Sequence, residues 1–316
     1  MAVTGEADGR FQVLAIDGGG LKGIFAAAAL AGLESDYDSR LTDHFDLIVG
    51  TSTGGIVALG LAAGLSAQQI VDFYLQHQDE IFPRRLLPRL RRVWSTYDPA
   101  PLVECLAEAF GTMTLGESPI RLAIPSFDLT SNDVYLFRTP HFERLLRDKK
   151  ERLVDVARAT SAAPTFFPAL DLRGVRLIDG GVWANNPSLV GVVEAAECCG
   201  GELGQIHLLN VGTTTELRLL PRKLDTGGLA RWAPHATATV MRGQALAAFN
   251  HAKLLLGKER AHRVDVIVPS GLHRLDRVDA RDLMGHASAR SRHQSPPLRD
   301  FFRHQATSYV SGNAQG

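Results

Sequence analysis

Twice within its first 65 residues the chain repeats one pattern: a short apolar run, an abrupt glycine cluster, then an apolar stretch too long for a strand. First, FQVLAI at residues 11–16 breaks at Asp17-Gly18-Gly19-Gly20-Leu21-Lys22-Gly23, and an alanine-rich helix follows over 23–33. Next, FDLIV at 45–49 breaks at Gly50-Thr51-Ser52-Thr53-Gly54, and a helix apolar nearly all round follows over 54–64. Short runs rich in branched side chains read as strands buried on both faces, and such strands belong to parallel sheets covered by helices on both sides. The pattern therefore predicts an α/β fold in three layers, with a largely parallel central sheet and helices on both faces.

The rest of the chain agrees. Ser66 with Gln69 forms a capping box that opens a helix to about Phe82, and Asp98 caps a helix to Phe110. Strands are expected over 121–129 and 134–137, joined by Ser131-Asn132-Asp133, and over 175–178, 206–211 and 264–268. Helices are expected over 151–161, stopped by Pro164, over 188–197 and 236–256, and near the C-terminus. No repeat or long linker divides the 316 residues, so a single domain is expected over 1–316. Within it, 213–234 reads as an irregular insertion and 236–316 as a C-terminal helical region.

Composition narrows the function. Lys and Arg total 34, as do Asp and Glu, so global basicity cannot carry the chain to nucleic acid, and no DNA or RNA partner is expected. Cys105, Cys198 and Cys199 read as free thiols in a reducing compartment. The N-terminus is no secretory signal. The most apolar runs, 24–33 and 56–65, fall short of the ~18–20 residues that a membrane span needs, so a soluble, cytoplasmic protein is expected. No HExxH or paired Cys/His spacing offers a metal site.

The first glycine cluster aims several backbone N–H groups at one point beside a helix N-terminus, which makes an anion hole. Gly18, Gly20 and Gly23 also fit the GxGxxG of dinucleotide-binding folds, an alternative that expects an acid at the end of the next strand. Here the acid, Asp46, stands at that strand's beginning, which weakens the alternative. A Walker loop is excluded, because no Gly-Lys-Ser/Thr follows.

The second cluster is GxSxG between a buried strand and a helix, the setting of a nucleophile elbow. Gly50 and Gly54 flank Ser52, whose hydroxyl is thrust out at the sheet's C-terminal edge, where it can attack a carbonyl. Its candidate base is Asp179, in Leu177-Ile178-Asp179-Gly180-Gly181 at the end of another expected strand. Parallel strand ends converge on one edge, and partial burial would raise the carboxylate's basicity toward the task. The competing Ser-Asp-His design has eight of the eleven histidines after Asp179 to draw on. None sits in a distinctive motif, and His207 falls inside an expected strand.

With these residues in view the chain resembles the patatin-like phospholipases. DGGGLKG, GTSTG and DGG carry the resemblance, and ATSAAPTFFP at Ala159–Pro168 and WANNP at Trp183–Pro187 extend it over 11–212. It implies a lipid acyl hydrolase with a Ser52–Asp179 dyad, an oxyanion hole from the N–H groups of Gly18, Gly19 and Gly20, and no catalytic cofactor. Lys22, Gly23, Gly50, Gly54, Gly180 and Gly181 complete the motifs, with Lys22 where the family usually has arginine. LAIPSFDLTSNDVYLFRTPH at Leu122–His141 and DGGVWANNPSLVG at Asp179–Gly191 further resemble the CapV-type effectors of CBASS antiphage systems. That likeness implies an allosteric activator of the cyclic dinucleotide class, 3',3'-cGAMP, and action on membrane phospholipid at the inner face of the cell membrane. A general bacterial patatin-like lipase without nucleotide control remains the alternative.

The stretch 83–97 holds Arg84, Arg85, Arg89, Arg91 and Arg92 interleaved with Leu86, Leu87, Leu90, Val93 and Trp94. It suits a peripheral membrane contact, a homodimer contact or an anionic nucleotide, and Arg218, Arg222 and Lys223 offer a second basic cluster.

Overall fold

A computed structural model describes residues 9–83, 95–217, 220–269, 275–307 and 309. The basic residues 84–94 and Arg218 lie outside them. The central sheet is built from β1 (Phe11–Ile16), β2 (Leu47–Gly50), β3 (Arg121–Asp128), β4 (Asp133–Arg138), β5 (Leu170–Leu172), β6 (Val175–Asp179), β7 (Ile206–Val211) and, beyond a separate strand β8 (Thr215–Leu217), β9 (Ala261–Val264). Its order is β5-β6-β3-β2-β1-β7-β9, with β4 paired to β3. From β3 to β9 every neighbour is parallel. At the other end β4, β6 and β5 are antiparallel, so the sheet is mixed.

Period-two alternation sorts the central strands onto two cores. Leu14, Ile16 and Ile48 join a cluster under α1 (Gly23–Tyr37), α2 (Thr53–Ala62), α3 (Ala67–Ile81), α4 (Ala100–Phe110) and α5 (Leu153–Thr160). After the short α6 (Gly181–Ala184), α7 (Ser188–Cys198) and α8 (Leu229–Leu256) cover the other face, on Val13, Ala15, Leu47 and Val49. The last helix, α9 (Ala280–Leu298), packs on α1. These are the three layers expected from the sequence.

One edge of β3 decides where the chemistry falls. β4 occupies one side of it along residues 123–128, so β2, paired at 121–123, and β6, paired at 126–128, must share the other. β2 runs with β3 and β6 runs against it, so their C-terminal ends face each other across a short gap. Pro125 stands at that gap, where a residue without an N–H removes no ladder bond.

Some boundaries differ from the sequence reading. β2 starts at Leu47 because the Asp46 carboxylate is held by the Gln12 and Thr307 N–H groups and by His304 Nε2. The expected strand over 264–268 is two: β9 ends at Val264, and β10 (Ile267–Pro269) pairs instead with β8. Asp265 makes the break, since its carboxylate takes Arg263, Thr215 Oγ1 and the Val266 N–H. The stretch 213–234 thus contains β8 and the start of α8, and β9 and β10 lie in the expected helical region. Among the described residues no helix is long and apolar enough to cross a membrane.

Candidate active site

Ser52 follows β2 with φ 55° and ψ −122°, a conformation that an L-residue tolerates only when its surroundings enforce it. The turn is tight enough that a Cβ on Gly50 would stand 2.1 Å from the Gly54 carbonyl oxygen, and one on Gly54 would stand 2.3 Å from that of Ile16. Thr160 holds the elbow: its Oγ1 accepts from the Ser52 N–H at 3.0 Å and donates to the Pro125 carbonyl at 2.6 Å. The strain is therefore anchored to β3, the strand that also carries β6.

Asp179 ends β6 and faces Ser52 across the gap. Ser52 Oγ donates to Asp179 Oδ2 at 2.6 Å, and the Gly181 N–H donates to Oδ1 at 2.7 Å. Both side chains are buried, and burial pushes the Asp179 carboxyl up to about 6, although the two hydrogen bonds pull the other way. The structure brings together the two residues that the sequence argument paired, but by a different route. Asp179 comes to the edge on an antiparallel strand returning into the sheet, whereas convergence of parallel ends was expected.

The glycine loop needs one correction. The Gly18 N–H is already spent on the Asn185 carbonyl at 2.9 Å, so it is not available to a substrate oxyanion. Gly19 and Gly20 N–H have no acceptor among the described residues, and both residues line a cavity with Ser52 and Asp179. Their peptides are fixed from behind. Thr213 Oγ1 donates to the Gly18 carbonyl at 2.9 Å, and the Lys22 N–H donates to the Gly19 carbonyl at 3.3 Å. In a trans peptide the C=O and N–H point opposite ways, so these bonds orient the next residue's donor. Asp17 anchors the loop's start through Arg263 and Asn210; burial raises its carboxyl, against the pull of Arg263.

The cavity measures about 390 Å³. Ile56, Tyr74, Phe82, Leu102, Phe166 and Phe167 supply most of its apolar wall, and Met241 of α8 and Leu275 reach it from the C-terminal region. No described histidine lines it, and His273 lies outside the described residues. Such a site can deprotonate a hydroxyl, hold a negative oxygen at two amides and take up an apolar chain, with no metal in the step.

Of the remaining motif residues, Gly23 opens α1 and Gly180 caps the short α6 begun by Gly181. Lys22 lines a neighbouring cavity and makes no hydrogen bond through its side chain among the described residues. Arg222 and Lys223 are exposed on a short 3-10 turn. Sequence reasoning missed Thr160, Asn185 and Thr213. The first two sit inside ATSAAPTFFP and WANNP, blocks that marked the family without disclosing a role. Thr213 carried no signal, since its bond to Gly18 depends on β1 and β7 being neighbours.

Comparison with known proteins identifies the family. The family model described as patatin-like phospholipase matches residues 14–190. A cGAMP-activated phospholipase of Vibrio cholerae is 35% identical over 251 residues, covering 71% of this chain and 70% of that protein. One of Pseudomonas aeruginosa is 39% identical, covering 65% of this chain and 63% of that protein. Patatin-like protein 2 of Arabidopsis thaliana is 33% identical over 72% of this chain and 66% of its own length. Among solved structures, VipD from Legionella pneumophila superposes with a TM-score of 0.50 at 12% identity, over 92% of this chain and 67% of that one, a likeness of fold alone.

Proposed function

The chain belongs to the patatin-like phospholipases, and from that premise we propose that it cleaves fatty-acyl esters of membrane glycerophospholipids through Ser52 and Asp179. Ser52 Oγ attacks the acyl carbonyl while Asp179 takes its proton, and the oxyanion settles on the N–H groups of Gly19 and Gly20. Asp179 returns the proton to the departing lysophospholipid oxygen. Water, deprotonated by the same carboxylate, then opens the acyl-enzyme and frees the fatty acid. The observation that carries this reading is the 2.6 Å Ser52–Asp179 bond at an apolar cavity beside two amides that have no acceptor among the described residues. One oxyanion donor of this kind lowers the barrier by roughly 3–4 kcal/mol.

Ser52→Ala and Asp179→Asn test it on phospholipid vesicles. Each should lower fatty-acid release by on the order of 10³-fold or more while the protein stays folded. Undiminished release by either variant removes the dyad.

The relatives named as cGAMP-activated phospholipases support a second element of the proposal: a cyclic dinucleotide switches the enzyme on. A panel of cyclic nucleotides in the vesicle assay should give low basal release and a sharp rise with one of them. Full release without any nucleotide makes the chain an ungated lipase.

A further inference from the structure

Beside the acyl cavity lies a second one of about 580 Å³, within the ~300–1,000 Å³ range of small-molecule sites. The two share Gly19, Asn185, Met241 and Leu275, so they meet at the glycine loop. Where the first is walled by aromatic and aliphatic side chains, the second sets Lys22, Arg242 and the run Thr213-Thr214-Thr215 against an apolar side that includes Leu246 and Phe249 of α8. Arg263 lines it too but is committed, at 2.8 Å from both Asp17 and Asp265. That leaves Lys22 and Arg242 against one carboxylate, Glu216.

Two groups in this wall lack an acceptor among the described residues, and a third has donors to spare. Thr214 is 7% exposed, and its buried Oγ1 has no hydrogen-bond partner among the described residues. The Lys22 ammonium makes no hydrogen bond or ion pair there; burial lowers its pKa, opposed by the charges of Glu216 and Asp265. Arg242 gives one bond, from Nη1 to the Glu216 carbonyl at 3.3 Å, and its other donors remain. A buried hydroxyl and a partly desolvated ammonium both gain from an anionic oxygen, and a guanidinium binds one through charge-assisted bonds.

We infer that this second cavity is a phosphodiester subsite, with Lys22 and Arg242 holding the anion and the Thr214 hydroxyl donating to one of its oxygens. The inference rests on the phospholipase reading, which sets the scissile ester where the two cavities meet. A phosphodiester reaches this place from either of two sources: the headgroup linkage of the phospholipid whose acyl chain fills the first cavity, or one linkage of a cyclic dinucleotide activator. Either would touch the residues that orient Gly19, since Thr213 bonds the Gly18 carbonyl.

The test is direct binding to the full chain carrying Ser52→Ala, so that no turnover intervenes. Glycerophosphocholine and cyclic GMP-AMP are titrated separately by calorimetry, then again after Arg242→Gln or Thr214→Val is added. Arg242 is exposed, so its substitution leaves the core intact. Arg242→Gln should weaken the bound probe about tenfold or more, and Thr214→Val by a smaller factor. Weakened glycerophosphocholine assigns the subsite to the headgroup, and weakened cyclic GMP-AMP assigns it to the activator. The subsite is overturned if neither probe binds, or if both bind equally well to all the proteins. A dyad that fails the vesicle assay leaves these isotherms standing, so the two readings fail separately.

Discussion

Asp179, the proposed base, is a buried carboxyl whose ionisation costs stability. Its folded pKa of about 6 stands above the ordinary 3.8, so the folded protein holds this proton more tightly than the unfolded chain does. The contribution to stability is therefore greatest below pH ~3.9, where both states are protonated, and falls as pH rises toward 6. At about 1.4 kcal/mol per unit, the loss is on the order of 2–3 kcal/mol. The proposed catalysis needs the opposite state, because only the carboxylate can accept the Ser52 proton. Turnover should thus climb through pH ~6 and level off above it, as a profile of kcat/KM from pH 4.5 to 8 would read. Asp179→Asn removes the buried charge, so its melting temperature at pH 8 should equal or exceed that of the parent while activity is lost. A large fall in melting temperature would mean that the carboxylate is structural.

At the scale of elements, β3 and α5 hold the elbow and the base together. Thr160, at the end of α5, ties the Ser52 amide to the Pro125 carbonyl. Thr160→Val keeps the volume and removes both bonds, which should cost about 1–3 kcal/mol in stability. Since the elbow's backbone is then less constrained, kcat should fall more than KM rises, measured with a soluble ester beside a thermal melt. The sequence disclosed much at this level. Strands β1, β2 and β7 could be read because they are short, mostly apolar runs, and Ser52 because glycines bracket it between a strand and a helix. The direction of β6 could not be read, since five residues look alike run either way and only pairing with β3 sets their sense. Nor could the Gly18 bond, which belongs to Asn185, 167 positions away.

Across the whole molecule, both termini of the described chain close on the foot of the sheet. Asp46 accepts from Gln12 in β1, from His304 and from the N–H and Oγ1 of Thr307. Burial opposes ionisation, yet these bonds prevail and hold its carboxyl below the ordinary 3.8. The sign is the reverse of that for Asp179: this stability is present above pH ~3.9 and drains away as pH falls through the depressed value. Asp46→Asn should destabilise by on the order of 3 kcal/mol at neutral pH, with the gap to the parent closing in acid. Melting curves across pH 3–7 check it, and an unchanged gap would mean that packing, not charge, fastens the C-terminus. Meanwhile α8 and Leu275 reach the cavity mouth from the same C-terminal third, so the part of the chain with the weakest sequence signal covers the chemistry.

The gap at Pro125 makes β3 a ruler. Nucleophile and base stand on two strands that never pair with each other, and what spaces them is the count of β3 residues from Ala123, opposite Val49, to Ser126, opposite Asp179. Each residue of an extended strand adds about 3.3 Å. One residue inserted there would draw proton donor and acceptor beyond reach of a hydrogen bond, and one deleted would drive two chain ends into the same space. In this architecture the reach between Ser52 and Asp179 is written as a length, in a strand that supplies neither member.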